Sequence, residues 1–366
     1  MKKVLFLEND YRTPDGKKLY GGGTIYENRF AQIMMDSGEC EITIKKIVNR
    51  SGFFKNFFTM PFKLICTMLW FKRFVKKQGK FDVMVMPDYF GIYGMLALMW
   101  LRLFRRRTKI VLIYHHCDWE LFRGPKSWLM KFLHLACAKR CHYIVFACPP
   151  VYENSVFIRE TQNRRKVLIG VHTPRILVPN VGKAVGRISY VGRIQQQKGL
   201  MELVNAMVLV KAQVPDFDLQ LIGNHNATPS FTEDLKKVIS ANGLENNITF
   251  CGPVDEVEKN RILASSRFFV FPSHLEGYGM VILESMQFSL PVVAWDVSAM
   301  PYTVKHEQNG LLVPHNDVSA LADAIVRLYQ DDALLARLAT GARATFEATP
   351  SEDDFKAAVI KFTEGL

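Results

Sequence analysis

Two carboxylates, Glu276 and Glu284, stand eight residues apart in a stretch that opens Pro272-Ser273-His274-Leu275-Glu276-Gly277-Tyr278-Gly279-Met280 and continues as a helical pattern to Ser285-Met286. Two helical turns span about seven residues, so the spacing lets both carboxylates share one side of a cleft. Such a pair accepts hydrogen bonds from sugar hydroxyls well. Gly277 and Gly279 free the backbone N–H groups at the helix start to face an anion. Taken alone, Glu284 also reads as a solvated position on a helix. Upstream, Gly192-Arg193 and Lys198-Gly199-Leu200 follow the apolar run Ile188–Val191. Gly192 permits a tight turn. Arg193 offers a planar fork of donors and Lys198 a point charge, which together suit a diphosphate. Two surface cations are the other reading.

Two further groups lie near the ends of apolar runs in the first half. Gly21-Gly22-Gly23-Thr24 precedes a helical pattern starting at Ile25. Glycines let a backbone approach a ligand, and a helix start offers N–H groups to a phosphate. A plain flexible loop has the same composition. His115, His116, Cys117 and Asp118 follow Val111–Tyr114. A histidine there acts on a substrate hydroxyl or phosphate, or is a hydrogen-bonded structural group.

These residues need elements to position them. Short runs rich in Val, Ile, Leu and Phe recur at 4–7, 42–48, 83–86, 110–114 and 143–147, then at 188–191, 219–222, 248–250, 268–271 and 292–294. Between the later ones, 202–210, 235–239 and 257–263 carry apolar residues at helical spacing. Buried strands alternating with helices imply parallel sheets covered on both faces. Two such sets predict an α/β protein of two Rossmann-like, doubly wound domains facing across a cleft. Ligands in such sheets bind beyond the carboxyl ends of the strands, where the residues above lie. The Pro- and Gly-bearing stretch Val178-Pro179-Asn180-Val181-Gly182-Lys183 marks the boundary, giving domains 1–182 and 183–350. After Pro350, Ser351 with Asp354 three residues on resembles a helix start, so 351–366 reads as a final helix.

Composition narrows the class. The 366 residues are 49% hydrophobic and 22% charged, which excludes disorder, collagen and coiled coil as descriptions of the whole. Seven cysteines without a CxxC offer neither a zinc ribbon nor a thioredoxin-type redox pair, and read as reduced thiols of a cytosolic protein. The initial apolar run stops at Glu8, too short for a signal peptide, and the longest uncharged apolar stretch, Tyr89 to Leu101, has 13 residues where a membrane span needs about 20. The net charge of +12 is unevenly placed: residues 1–180 hold 31 Lys and Arg against 13 Asp and Glu, the remainder 16 against 22. Segment 52–80 mixes Lys and Arg with Phe and Trp, and 102–109 holds Arg102, Arg105, Arg106, Arg107 and Lys109. No nucleic-acid-binding module is recognisable, so these segments predict contact with an anionic membrane surface. A helix with an apolar core side and a solvated basic side is the alternative.

The stretch Pro272–Gly279 with Glu284, Pro291-Val292-Val293-Ala294 and Asn309-Gly310-Leu311-Leu312-Val313 resembles the signature of the group 1, family 4 retaining glycosyltransferases, which have the GT-B fold. Val191-Gly192-Arg193, Lys198-Gly199 and Leu221-Ile222-Gly223 stand where that family has its counterparts. The resemblance covers 186–345 strongly and 1–180 weakly. It departs at Phe288-Ser289-Leu290-Pro291, at Gly223-Asn224-His225-Asn226 and at Ile169-Gly170-Val171-His172.

The resemblance implies that Arg193 and Lys198 hold the donor diphosphate beside Gly192. It implies that Glu276 contacts the donor sugar, with help from the amides of Gly277, Tyr278, Gly279 and Met280, and that Glu284 binds the ribose hydroxyls. Gly22 and Gly23 would approach the phosphate and the acceptor side, and His115, with His116 in reserve, would match the family's histidine. The final helix would cross back onto the first domain. No metal or separate cofactor is implied; the leaving diphosphate is neutralised by cations and helix starts. The expectation is a hexosyl transfer that retains anomeric configuration, from a nucleotide-diphosphate sugar, UDP the expected base, to a glycan or lipid-linked acceptor. The setting expected is bacterial polysaccharide or lipopolysaccharide synthesis on the cytoplasmic face of the membrane, without nucleic acid. A sugar-nucleotide epimerase or hydrolase of the same fold is the rival, and a non-enzymatic membrane or nucleic-acid binder a more distant one.

Overall fold

The computed structural model describes residues 1–11, 22–49, 79–87, 107–115, 141–154, 165–170, 172–226 and 228–366, with positions 69, 73, 74, 76 and 77. Gly21, His116, Cys117 and Asp118 lie outside the described residues, as do Tyr89–Leu101, 102–106 and most of 52–80. Two compact units result: Met1–His172 with Glu352–Leu366, and Thr173–Ser351.

The first unit holds six parallel strands, β1 (Lys2–Tyr11), β2 (Cys40–Asn49), β3 (Val83–Pro87), β4 (Lys109–Tyr114), β5 (Tyr143–Phe146) and β6 (Arg165–Leu168), in the order β2-β1-β3-β4-β5-β6. The order reverses between β1 and β3, which opens a crevice at the carboxyl ends of these strands. Helix α1 (Gly22–Asp36) starts beside that point. The apolar runs are near continuous because both faces are covered: Val4 to Leu7, Val83 to Met86 and Ile110 to Tyr114 are all buried. The last helix, Glu352–Glu364, packs on this unit. Its Phe355 meets Tyr26 edge-on and stacks on His172 at 4.7 Å, and its Phe362 meets Phe30 and Tyr143. Arg29 pairs with Glu352 at its start, while Lys109 Nζ and Tyr143 Oη donate to carbonyls of Leu366 and Gly365 at its end.

The second unit alternates strand and helix: β7 (Arg187–Val191), α3 (Leu200–Lys211), β8 (Asp218–Ile222), α4 (Pro229–Ala241), β9 (Ile248–Gly252), α5 (Glu256–Ser265), β10 (Phe268–Phe271), α6 (Met280–Met286), β11 (Val292–Trp295), α7 (Met300–Thr303), β12 (Gly310–Val313), α8 (Val318–Gln330) and α9 (Asp332–Glu347). In the first unit α2 is Pro149–Asn154. The sheet order is β9-β8-β7-β10-β11-β12, all parallel, with the reversal between β7 and β10. All four residues of β10 and of β11 are buried, the mark of central strands. Asp255, Asp317 and Asp331 cap α5, α8 and α9 by accepting from backbone N–H groups three residues on.

The doubly wound α/β class is therefore present twice. Two strands escape a reading of apolar runs. β6 is the edge strand Arg165-Lys166-Val167-Leu168, half basic, and β12 is the edge strand Gly310-Leu311-Leu312-Val313, opened by a glycine. Edge position alone does not hide a strand, since the edges β2 and β9 show their apolar runs at 42–48 and 248–250; the basic pair opening β6 and the glycine opening β12 do.

Candidate active site

In the second sheet the switch point lies between β7 and β10, so the segments leaving these two strands flank one crevice. β7 leaves through Gly192 and Arg193 into the 3-10 turn Gln196–Lys198. Gly192 is required, since a Cβ there would overlap the Tyr190 hydroxyl. That hydroxyl donates to the Arg193 carbonyl at 3.2 Å and pins the turn. Burial, helped by the charge of Glu276, pushes the Tyr190 phenol well up, so it stays a neutral donor. Arg193 is exposed, and its guanidinium has no partner among the described residues.

Gly199 ends the turn in the left-handed region, φ +66°, and a Cβ there would overlap the carbonyl of Pro272. The segment after β7 thus lies directly on the segment after β10. Two further bonds join them: the His274 N–H donates to the Gln197 carbonyl at 3.1 Å, and the Ser273 hydroxyl lies 3.4 Å from the same carbonyl.

This contact delivers Lys198 to Glu276, and the two form a direct, largely buried ion pair. The Lys198 ammonium also lies 5.8 Å above the Phe271 ring. Glu276 is held by its own backbone as well: Ser298 accepts from its N–H at 3.2 Å and donates to its carbonyl at 2.9 Å. His274 beside it lies 2.9 Å from a ring nitrogen of His315 and 3.5 Å from Glu202.

The spacing of Glu276 and Glu284 is not two turns of helix. α6 begins only at Met280, with Gly279 in the left-handed region, φ +74°, before it. Glu276, Gly277 and Tyr278 belong to the loop, and Glu284 projects from the helix. Each carboxylate has its own lysine. Glu284 Oε2 accepts from Lys259 Nζ at 2.9 Å, and Lys259 also bonds Glu256 at 2.8 Å. Burial works to lower the Lys259 ammonium. Glu284 and then Glu256 outweigh it and hold it above the ordinary lysine value. Lys259 is missing from the sequence reading because 257–263 shows only an amphipathic helix, in which a lysine reads as solvated.

In the first unit, α1 begins at Gly22, and the ring of His115 lies against Gly23, where a Cβ would sit 3.6 Å from it. His115 follows β4 and is buried. Its Nε2 lies 3.0 Å from Oε1 of the buried Glu27 on α1, and the Tyr26 ring meets it edge-on at 5.2 Å. The Tyr26 hydroxyl donates to the Ile169 carbonyl at 2.7 Å. Glu27 is the second group that sequence reasoning misses, and its helix gives no sign that it faces inward.

The second unit holds a guanidinium unpaired among the described residues, an ammonium shared with a carboxylate and a second carboxylate on a lysine; the first unit holds a histidine on a glutamate. Among the described residues no group of three His, Cys, Asp or Glu is placed to hold a metal ion. No helix among them is long and apolar enough to cross a membrane.

Residues 186–331 match the family model described as "Glycosyl transferases group 1". A D-inositol 3-phosphate glycosyltransferase of Arthrobacter sp. (strain FB24) is 32% identical over 187 residues, 50% of this chain and 42% of that one. The amylovoran biosynthesis glycosyltransferase AmsK of Erwinia amylovora is 30% identical over 167 residues, 44% of this chain and 40% of that one. The matches thus span about four tenths of the length of these two relatives. In fold, the Anabaena protein Alr3699/HepE, solved in complex with UDP and glucose, superposes with a TM-score of 0.71 at 15% identity, covering 100% of both chains.

Proposed function

We propose that this chain, whose residues 186–331 match the model of the group 1 glycosyltransferases, moves a sugar from a nucleotide-diphosphate donor to a glycan or lipid-linked acceptor with retention of anomeric configuration. The observation that carries this reading is the meeting of Lys198 with Glu276 at the switch point, with Arg193 unpaired beside them. A departing diphosphate gathers negative charge as the glycosidic bond breaks. Lys198 is a fixed cation at a strand end, so it stabilises that charge without reorganising, and the guanidinium of Arg193, unpaired among the described residues, is free to close on it. Lys198 is then shared between Glu276 and a phosphate oxygen. Glu276 accepts hydrogen bonds from hydroxyls of the donor sugar, and its pairing with Lys198 keeps it aimed. Glu284 accepts from the ribose hydroxyls. Gly192, Gly277, Tyr278, Gly279 and Met280 supply backbone close to the donor, and Gly22, Gly23 and His115 serve the reaction from the first unit. UDP is the expected nucleotide, as in the Anabaena neighbour. A bacterial cell-surface polysaccharide or lipopolysaccharide is the expected destination; the Erwinia relative is named for amylovoran biosynthesis.

A thermal-shift panel of UDP, GDP, ADP, dTDP and CMP and their sugars tests the donor class. One base should raise the melting temperature, since a ligand at 100-fold excess over its dissociation constant adds about 2.7 kcal/mol to apparent stability. The shift should be smaller in Lys198→Ala. No shift with any of the panel overturns the proposal. A shift accompanied by free sugar or an epimer, without acceptor product, transfers the reading to a hydrolase or epimerase.

A lipid-linked acceptor places the enzyme at an anionic membrane surface, and the basic aromatic segments 52–80 and 102–109 supply the charge for that contact. Sedimentation with anionic vesicles should fall when Lys72, Arg73, Lys76 and Lys77 are together replaced by glutamine. Unchanged sedimentation removes segment 52–80 from the account.

A further inference from the structure

Lys259 lies on α5, one helical turn beyond the capping Asp255, and its side chain is 15% exposed. A lysine that served solubility would reach into water, and burying an ammonium is costly unless it is paired. Its two partners differ. The Glu256 side chain is 81% exposed, so that pair contributes little. The Glu284 side chain is 26% exposed, and the geometry is fixed there. Only one of the two Glu284 oxygens is engaged: Lys259 donates to Oε2, while Oε1 accepts no hydrogen bond among the described residues. A carboxylate on a helix otherwise turns freely about its last torsion, and the ammonium removes that freedom.

We propose that Lys259 is a positioning residue for the donor: it holds Glu284 by Oε2 and presents Oε1 to the ribose diol. The inference rests on the reading of Glu284 as the ribose ligand. It gives the reaction a recognition element that the Glu276/Glu284 spacing does not contain, built from a helix on the far side of β10 in sequence. The pair is a selector for ribonucleotides over deoxyribonucleotides, because only the ribo form brings both hydroxyls to the oriented carboxylate. Lys259 competes with nothing in this scheme; the ammonium and the diol occupy different oxygens.

The test compares UDP with 2′-deoxy-UDP, and GDP with 2′-deoxy-GDP, by titration calorimetry. The proteins are the wild type, Lys259→Met, Lys259→Arg and Glu284→Gln, each checked for an unchanged unfolding transition. The wild type should prefer the ribo form of the nucleotide it binds. Lys259→Met should shrink that preference roughly tenfold, about the effect of one hydrogen bond to a charged group, while weakening the deoxy form, which keeps only its 3′-hydroxyl on Glu284, by less. Lys259→Arg should restore most of it. Equal weakening of both forms means a merely structural lysine and overturns the proposal. So does tighter binding of the ribo form, which would mean that the lysine obstructs the diol. If Glu284→Gln keeps the full ribo preference, the ribose assignment itself fails, and the inference with it. If neither pair binds, the same comparison is made with ADP and 2′-deoxy-ADP; if none of the three binds any of the four proteins, the inference fails, and the five-nucleotide thermal-shift panel decides separately on the transferase reading.

Discussion

Replacing Lys198 by alanine is expected to lower turnover by roughly 10²–10³-fold, the loss that follows removal of one preorganised electrostatic stabiliser. The size follows from where the lysine is held. The 3-10 turn Gln196–Lys198 and the left-handed Gly199 fix its backbone, and Pro272 closes over that glycine. Its ammonium lies between the Phe271 ring and Glu276, largely out of water. A charge held in such a place acts on a phosphate more strongly than the same charge in solvent, because the surrounding dielectric is low. The loss should fall mainly on kcat at saturating donor, since the charge on the diphosphate grows toward the transition state. Alanine also strands Glu276, so part of any effect is destabilisation. The double variant Lys198→Ala with Glu276→Gln removes that stranded charge. Its melting temperature should recover toward the wild type while its turnover stays low. A folded Lys198→Ala enzyme with near-full turnover would remove the lysine from the chemistry.

The legibility of this molecule from sequence follows the physics of its strands. β10 and β11 are buried on both faces, so Phe268–Phe271 and Val292–Trp295 are unbroken apolar runs that announce themselves. β6 opens on Arg165-Lys166 and β12 on Gly310, which shortens the apolar run that would mark each. The site divides the same way. Arg193, Lys198, Glu276 and Glu284 are legible because each follows an apolar run or a glycine turn, where chemistry stands out from packing. The pairing of Lys198 with Glu276 spans 78 residues, and the order of the sheet, not any local spacing, joins them. Lys259 and Glu27 are charged residues on amphipathic helices, and nothing local distinguishes an inward charge from a solvated one. Only the partner across the fold does, and that partner lies 25 residues away for Lys259 and 88 for Glu27.

Removing the imidazole of His115 is expected to lower kcat by roughly 10²-fold, the lower end of what a positioned histidine contributes as an acid or base. Glu27 makes the more searching variant. Its Oε1 lies 3.0 Å from Nε2 of His115; where Nε2 carries the proton the carboxylate accepts from it, favours that tautomer and holds the ring in place. Gly23 and the edge of Tyr26 complete the enclosure. Glu27→Ala leaves a buried imidazole N–H without that acceptor, which costs about 1–3 kcal/mol of stability. Its kcat should fall in the same direction as in His115→Ala but by less, because the ring is present and only its orientation is lost. Glu27→Gln keeps an acceptor oxygen and should recover most of the stability. The decisive variant is His115→Ala with Glu27→Ala. If the glutamate acts on the reaction only through the histidine, this pair turns over no more slowly than His115→Ala alone, because the second truncation has nothing left to disorient. Multiplying losses would give Glu27 a separate part in the reaction, and an unaltered kcat in folded His115→Ala would return both residues to the packing of α1 against β4.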